Sequence, residues 1–237
     1  MENIPAYVSI VFVLTTFLAV MLFYMANSRS FVAIVLVTLW LIVQGLVSLG
    51  GFYTVTDAFP PRFVLLVLPP LVFIAILFFT GAGRRYVDGL NPAVLTVLHI
   101  VRIPIELVLY WLFLNKAVPR LMTFAGRNFD ILAGLSAPLI YYFGFSKRLI
   151  GRKMILLWNF ICLGLLVNIV VNALLSAPFP FQQFGFSQPN IAVLYFPYVW
   201  LPCCVVPLVL LSHLAVIRQL WKRPVGSSPA ALPLRKK

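Results

Sequence analysis

The chain has 237 residues, of which 62% are hydrophobic and 10% charged, against about half and a quarter in a soluble domain. Apolar runs recur along its whole length and leave no room for a soluble domain, which excludes a globular protein on a single anchor and predicts an all-α, polytopic integral membrane protein. The net charge of +13 sits mainly in short loops and the C-terminal tail, without interleaved aromatics, and so argues for membrane topology and against nucleic acid as a partner.

The first apolar run follows Glu2, where a secretory signal would carry Lys or Arg, and it is long enough to span, so it reads as a retained helix. Seven candidate spans follow in order: Tyr7–Met25, Phe31–Leu49, Phe63–Phe79, Pro92–Leu114, Phe129–Phe145, Met154–Leu175 and Ile191–Leu220. The fifth is short. The last contains Pro197, Pro202 and Pro207 and is expected to be kinked, with its first turns at the interface. Residues 1–223 thus form a seven-helix transmembrane domain, and 224–237, rich in Pro and Ser and ending Arg-Lys-Lys, a disordered basic tail. No internal repeat suggests a transporter built from inverted halves.

Charge sets the direction. Arg29, Arg84, Arg85, Lys147, Arg148, Arg152 and Lys153 fall in the first, third and fifth loops, and Arg218, Lys222, Arg223, Arg235, Lys236 and Lys237 at the C-terminal end. All share one side, and the other holds only Arg62, Lys116, Arg120 and Arg127, so the expected topology is N-terminus outside and C-terminus cytoplasmic, in a plasma (inner) membrane.

The fourth span carries His99, Arg102 and Glu106, at spacings of three and four on one face that Tyr110 extends. Ionisable groups inside a bilayer are costly, so three on one helix mark a candidate site. Rise per residue puts His99 about 10 Å from the cytoplasmic end, Arg102 about 15 Å and Glu106 about 21 Å. Gln44, Asn168 and Ser136 fall near the depth of Glu106, which predicts a polar layer in the outer half of the bundle. Arg102 and Glu106, one turn apart, read either as a neutralising ion pair or as an anion holder beside a proton-exchanging carboxylate, with Pro104 freeing a carbonyl between them.

The outer loop adds Arg120 and Arg127 as a cationic mouth for phosphate or carboxylate. Asp130 reads as the cap of the fifth helix, and Ala133, Gly134, Ser136 and Ala137 are small enough to let that helix approach the fourth closely. Aromatics before and at the start of the last span read as an interfacial belt, or as the wall of a pocket for a lipid-like ligand. Cys162, Cys203 and Cys204 lack metal-ligand spacing and read as small buried hydrophobes, so no metal site is expected.

These features point to binding or transport of a small anionic, amphipathic or lipid-like molecule, with Arg102, Glu106, Gln44, Asn168, Ser136, Arg120 and Arg127 as the ligand set and the bilayer as the constant partner. The alternatives are a structural subunit of a membrane complex, an intramembrane enzyme on a lipid-linked substrate with no assignable catalytic residue, and a b-type cytochrome. In the last, His99 and His213, both roughly 7–10 Å deep, would ligate one haem; otherwise they form a proton relay, and no cofactor is expected. Microbial rhodopsins share the helix number and topology, but the last span has no lysine for a retinal Schiff base.

Overall fold

The computed structural model describes residues 4–222, and among these the chain is all-α with no strand. In chain order the helices are α1 (Ala6–Ala26), α2 (Phe31–Leu49), α3 (Val64–Phe79), α4 (Gly81–Gly89), α5 (Pro92–Leu98), α6 (Arg102–Leu114), α7 (Ile131–Ile140), α8 (Arg152–Leu175) and α9 (Val206–Trp221). Five helical stretches are long and apolar enough to cross a membrane: α1, α2, α5–α6 read together, α8, and Leu201–Trp221. A sixth is added if α3 and α4, which meet at 95°, form one broken span; Ile131–Ser146 is a shorter apolar helix. Arg223 and the tail 224–237 lie outside the described residues.

Local chemistry explains most boundaries. Ser30 accepts from Ala33 N at the start of α2, and Asn91 accepts from Ala93 N and Val94 N with Pro92 in the first turn of α5. Thr80 caps α4 through Gly83 N. Gly83 also permits the sharp α3–α4 corner, because a Cβ there would lie 2.5 Å from Leu77 Cα. Between α5 and α6 the turn His99–Val101 tightens to 3-10 geometry, just before Pro104, which cannot donate to the Ile100 carbonyl.

The last helix departs from expectation. It begins at Leu201 and not at Ile191; Ala192–Leu194 form a separate 3-10 turn. Prolines 197 and 202 lack the N–H a continuous helix would use, and Pro202 is accommodated where a first turn needs no donor. Leu201–Val205 then widen into a π-turn, and Pro207 leaves the Cys203 carbonyl without its helical donor. Trp40 Nε1 of α2 fills that vacancy at 3.0 Å, while Trp200 Nε1 reaches the Leu41 carbonyl at 2.9 Å. Gly45 makes room for this crossing, with Phe196 3.3 Å from where its Cβ would be.

Two ends of the bundle are tied differently. At the basic end, Asn91 N bonds the last carbonyl of α1, and Asp88 of α4 receives Arg218 and Lys222 from the end of α9. At the far end, Ile191 N and Ala192 N share the Ala117 carbonyl, and Gln188 Nε2 donates to the Phe113 carbonyl in the last turn of α6 and to the Val118 carbonyl beyond it. The α5–α6 rod runs through the middle of the bundle, against α1, α7 and α9.

Candidate functional site

His99, Arg102 and Glu106 are 0%, 3% and 2% exposed, so all three face the interior of the bundle. Arg102 Nη1 donates to Asp130 Oδ1 at 2.8 Å and to the Cys162 carbonyl at 3.3 Å. Its Nη2 lies 2.9 Å from His213 Nε2, and His213 Nδ1 lies 3.0 Å from Asn159 Oδ1. A guanidinium only donates, so His213 Nε2 must accept and its proton must sit on Nδ1, facing Asn159. The Asn159 orientation agrees, since its Nδ2 donates to the Ile155 carbonyl at 2.9 Å. His213 is thus held as a neutral imidazole with both nitrogens used.

Glu106 belongs to the other half of the site. Its Oε1 accepts from Asn128 Nδ2, which also donates to the Met122 carbonyl; Asn128 Oδ1 accepts from Asp130 N at 3.0 Å. Asn128 therefore links the glutamate to the residue that pairs with Arg102. No ion pair joins Arg102 to Glu106 among the described residues, so the one-turn pairing read from their spacing is replaced by Arg102–Asp130. Asp130 accordingly makes no side-chain cap on α7, contrary to its expected role.

Small residues set this geometry. A Cβ on Gly134 would lie 2.8 Å from Ile103 Cγ1, 3.1 Å from Ile103 N and 3.3 Å from Arg102 Cβ. With Ala133 and Ala137 also fully buried, α7 comes directly onto the α5–α6 junction and delivers Asp130 to Arg102.

Several buried polar atoms here have no protein partner: both nitrogens of His99, Nε of Arg102 and Oε2 of Glu106. The His99 ring stacks on His213, centroids 3.9 Å apart and planes at 17°, and meets Trp158 edge-on at 5.5 Å. A bis-histidine haem needs its macrocycle between two rings that aim nitrogens at the iron. These rings lie face to face with no such gap, and His213 has no free nitrogen, so the residues do not fit the haem reading. Among the described residues no group of three or more His, Cys, Asp or Glu could hold a metal ion.

The expected polar layer around Glu106 is dispersed. Gln44 bonds Tyr53 OH, Ser136 accepts from Trp158 Nε1 at 2.8 Å, and Asn168 Nδ2 donates to the Arg127 carbonyl at 2.9 Å. Equal depth did not bring them together, because each residue's direction around its helix is set by packing. Arg120 and Arg127 are exposed and line one depression of about 540 Å³ at the far end, with Pro119, Gly126, Ser187 and Gln188. Arg127 also lies over the Phe184 ring at 5.9 Å. Asn128, the next residue, is the first link inward to Glu106.

Asp130, Asn128 and Asn159 are the site members that the sequence reading left out. For Asn159 a signal was present: it lies as far into α8 from the basic end as His99 lies into its own span. Asn128 and Asp130 looked like ordinary helix-start chemistry. Compared with protein-family models, curated proteins and solved structures, the chain matches none of them.

Proposed function

We propose that the chain is a seven-helix integral membrane protein of the plasma (inner) membrane, N-terminus outside and C-terminus cytoplasmic, that binds or transports a small anionic or amphipathic molecule through the polar site around Arg102 and Glu106. The seven crossings are the five long stretches, α3, and the short Ile131–Ser146 helix, with α4 turned along the basic end. The observation that carries the reading is the pair of open valences at the centre of the bundle. Arg102 keeps an unpartnered N–H and Glu106 an unpartnered carboxyl oxygen, while Asp130, the remaining buried acid or base of this kind among the described residues, is paired with Arg102. An anion accepts from the former; a proton on the latter lets Glu106 donate to the same anion.

Arg102 does not deprotonate, so it cannot pass a proton along the site. Proton exchange on its far side falls to Glu106, and on its basic side to His99, whose nitrogens are free where those of His213 are not. The cationic depression at Arg120 and Arg127 serves as the collecting mouth, with Asn128 between it and Glu106.

Purified protein in vesicles loaded with a pH-sensitive dye tests this, with inorganic phosphate, small mono- and dicarboxylates and a medium-chain fatty acid as probes. Wild-type protein should show anion-dependent proton uptake. Glu106→Gln should keep anion binding and lose its pH dependence; Arg102→Met should lose binding. If the Glu106→Gln protein handles anions with an unchanged pH profile, the carboxylate has no such role.

A further inference from the structure

An apolar groove shares no lining residue with the Arg102–Glu106 region. The groove, of about 500 Å³, runs between α1, α2, α3 and α9, its walls including Phe23, Val37, Trp40, Ile74, Cys203 and Leu211. Its volume is within the range of small-molecule sites, and its wall is almost wholly apolar. The groove stays open because the residues along it cannot fill it. Ala33 is small, Pro69, Pro70 and Pro207 are short and rigid, and the Trp40 indole N–H is committed to the Cys203 carbonyl.

From Ala33 to Trp40 the α2 wall rises about 10 Å, room for a stretch of acyl chain. At its basic end the groove meets the α1–α2 turn and α4, the segments that carry Arg29, Arg84 and Arg85. Ser30 and Tyr86 line it, and their chain neighbours Arg29, Arg84 and Arg85 are exposed and form no ion pair or side-chain hydrogen bond among the described residues. The nearby carboxylate, Asp88, is already held by Arg218 and Lys222. Asn27, 9% exposed, turns its side-chain amide toward the Tyr86 hydroxyl at the same end.

We propose that this groove is a binding site for an anionic phospholipid of the adjoining leaflet, one acyl chain lying along Val37 and Trp40 and the phosphate meeting Arg29, Arg84 and Arg85. A purely apolar groove would take any lipid chain. Three exposed guanidinium groups, on residues next in the chain to Ser30 or within two of Tyr86, favour a phosphate-bearing headgroup without a compensating cation. The site shares no residue with the Arg102–Glu106 region and does not depend on the function proposed for it.

The test uses the full chain purified in mild detergent, with binding of phosphatidylglycerol, phosphatidylcholine and inorganic phosphate followed by native mass spectrometry. Phosphatidylglycerol should bind at least tenfold more tightly than phosphatidylcholine. Combined Arg29→Gln, Arg84→Gln and Arg85→Gln should abolish that preference, each arginine contributing up to about fivefold. These side chains are exposed, so their replacement leaves the core intact. Ala33→Phe, which fills the groove, should weaken both lipids together. Equal binding of the two lipids, displacement of phosphatidylglycerol by free phosphate alone, or an Ala33→Phe protein that binds as before would each overturn the assignment.

Discussion

Arg102 and Asp130 lose their hydration on folding and recover it from each other, from His213 and from the Cys162 carbonyl. Such a pair contributes little net stability, yet removing one member strands a buried charge at a cost of about 3–5 kcal/mol. Arg102→Met or Asp130→Leu alone should therefore lower the thermal stability of the detergent-solubilised protein sharply, while the two together recover most of it. A double variant no more stable than the weaker single one would show that the pair is doing more than neutralising itself. The spacing of His99, Arg102 and Glu106 was readable along the chain, and so was their burial, since bilayer cost forces such groups inward. The identity of the counter-charge was not: Asp130 is distant in sequence, in a position that usually serves as a cap.

Among the elements, α7 is placed by what it lacks. With Ile103 N only 3.1 Å from the position of a Gly134 Cβ, the helix cannot shift along a flexible side chain to admit a methyl group. Gly134→Ala should cost about 1–3 kcal/mol through overpacking and lengthen the Arg102–Asp130 contact. Chemical denaturation gives the first, and a structure of the variant the second. The small-residue stripe predicted this approach because only a helix face without bulk lets backbones come so near. The corner between α3 and α4 was not anticipated. It turns α4 so that Asp88 meets Arg218 and Lys222.

Partial burial pushes the Asp88 carboxyl up, but hydrogen bonds from Lys222 and Arg218 and their charges outweigh it and hold the group below its ordinary range. A carboxylate depressed in the folded state stabilises above its unfolded pKa, and that contribution disappears as pH falls through the folded one. The difference in melting temperature between wild type and Asp88→Asn should accordingly be constant near neutrality, shrink below about pH 4, and shrink also in high salt because the cluster is partly exposed.

At the scale of the molecule, the proposed topology predicts which loops meet the outside. After replacement of the three buried cysteines, Lys116→Cys in intact cells should react with a membrane-impermeant maleimide, and Arg148→Cys only after the membrane is opened; the reverse pattern would invert the bundle. Composition alone determined that the chain is all-α and rich in spans, because a backbone in hydrocarbon must satisfy its own hydrogen bonds and a continuous apolar run can do so only as a helix. Helix order and most span limits follow from the same runs. Tertiary structure decided everything that depends on direction around a helix axis. It separated Gln44, Ser136 and Asn168 into three unrelated contacts, stacked His99 on His213, and gave Arg102 to Asp130. Depth is a one-dimensional quantity that a sequence carries residue by residue. Azimuth comes from close packing of distant segments, and here it was set by Gly134, Pro207 and the Trp40–Cys203 tie.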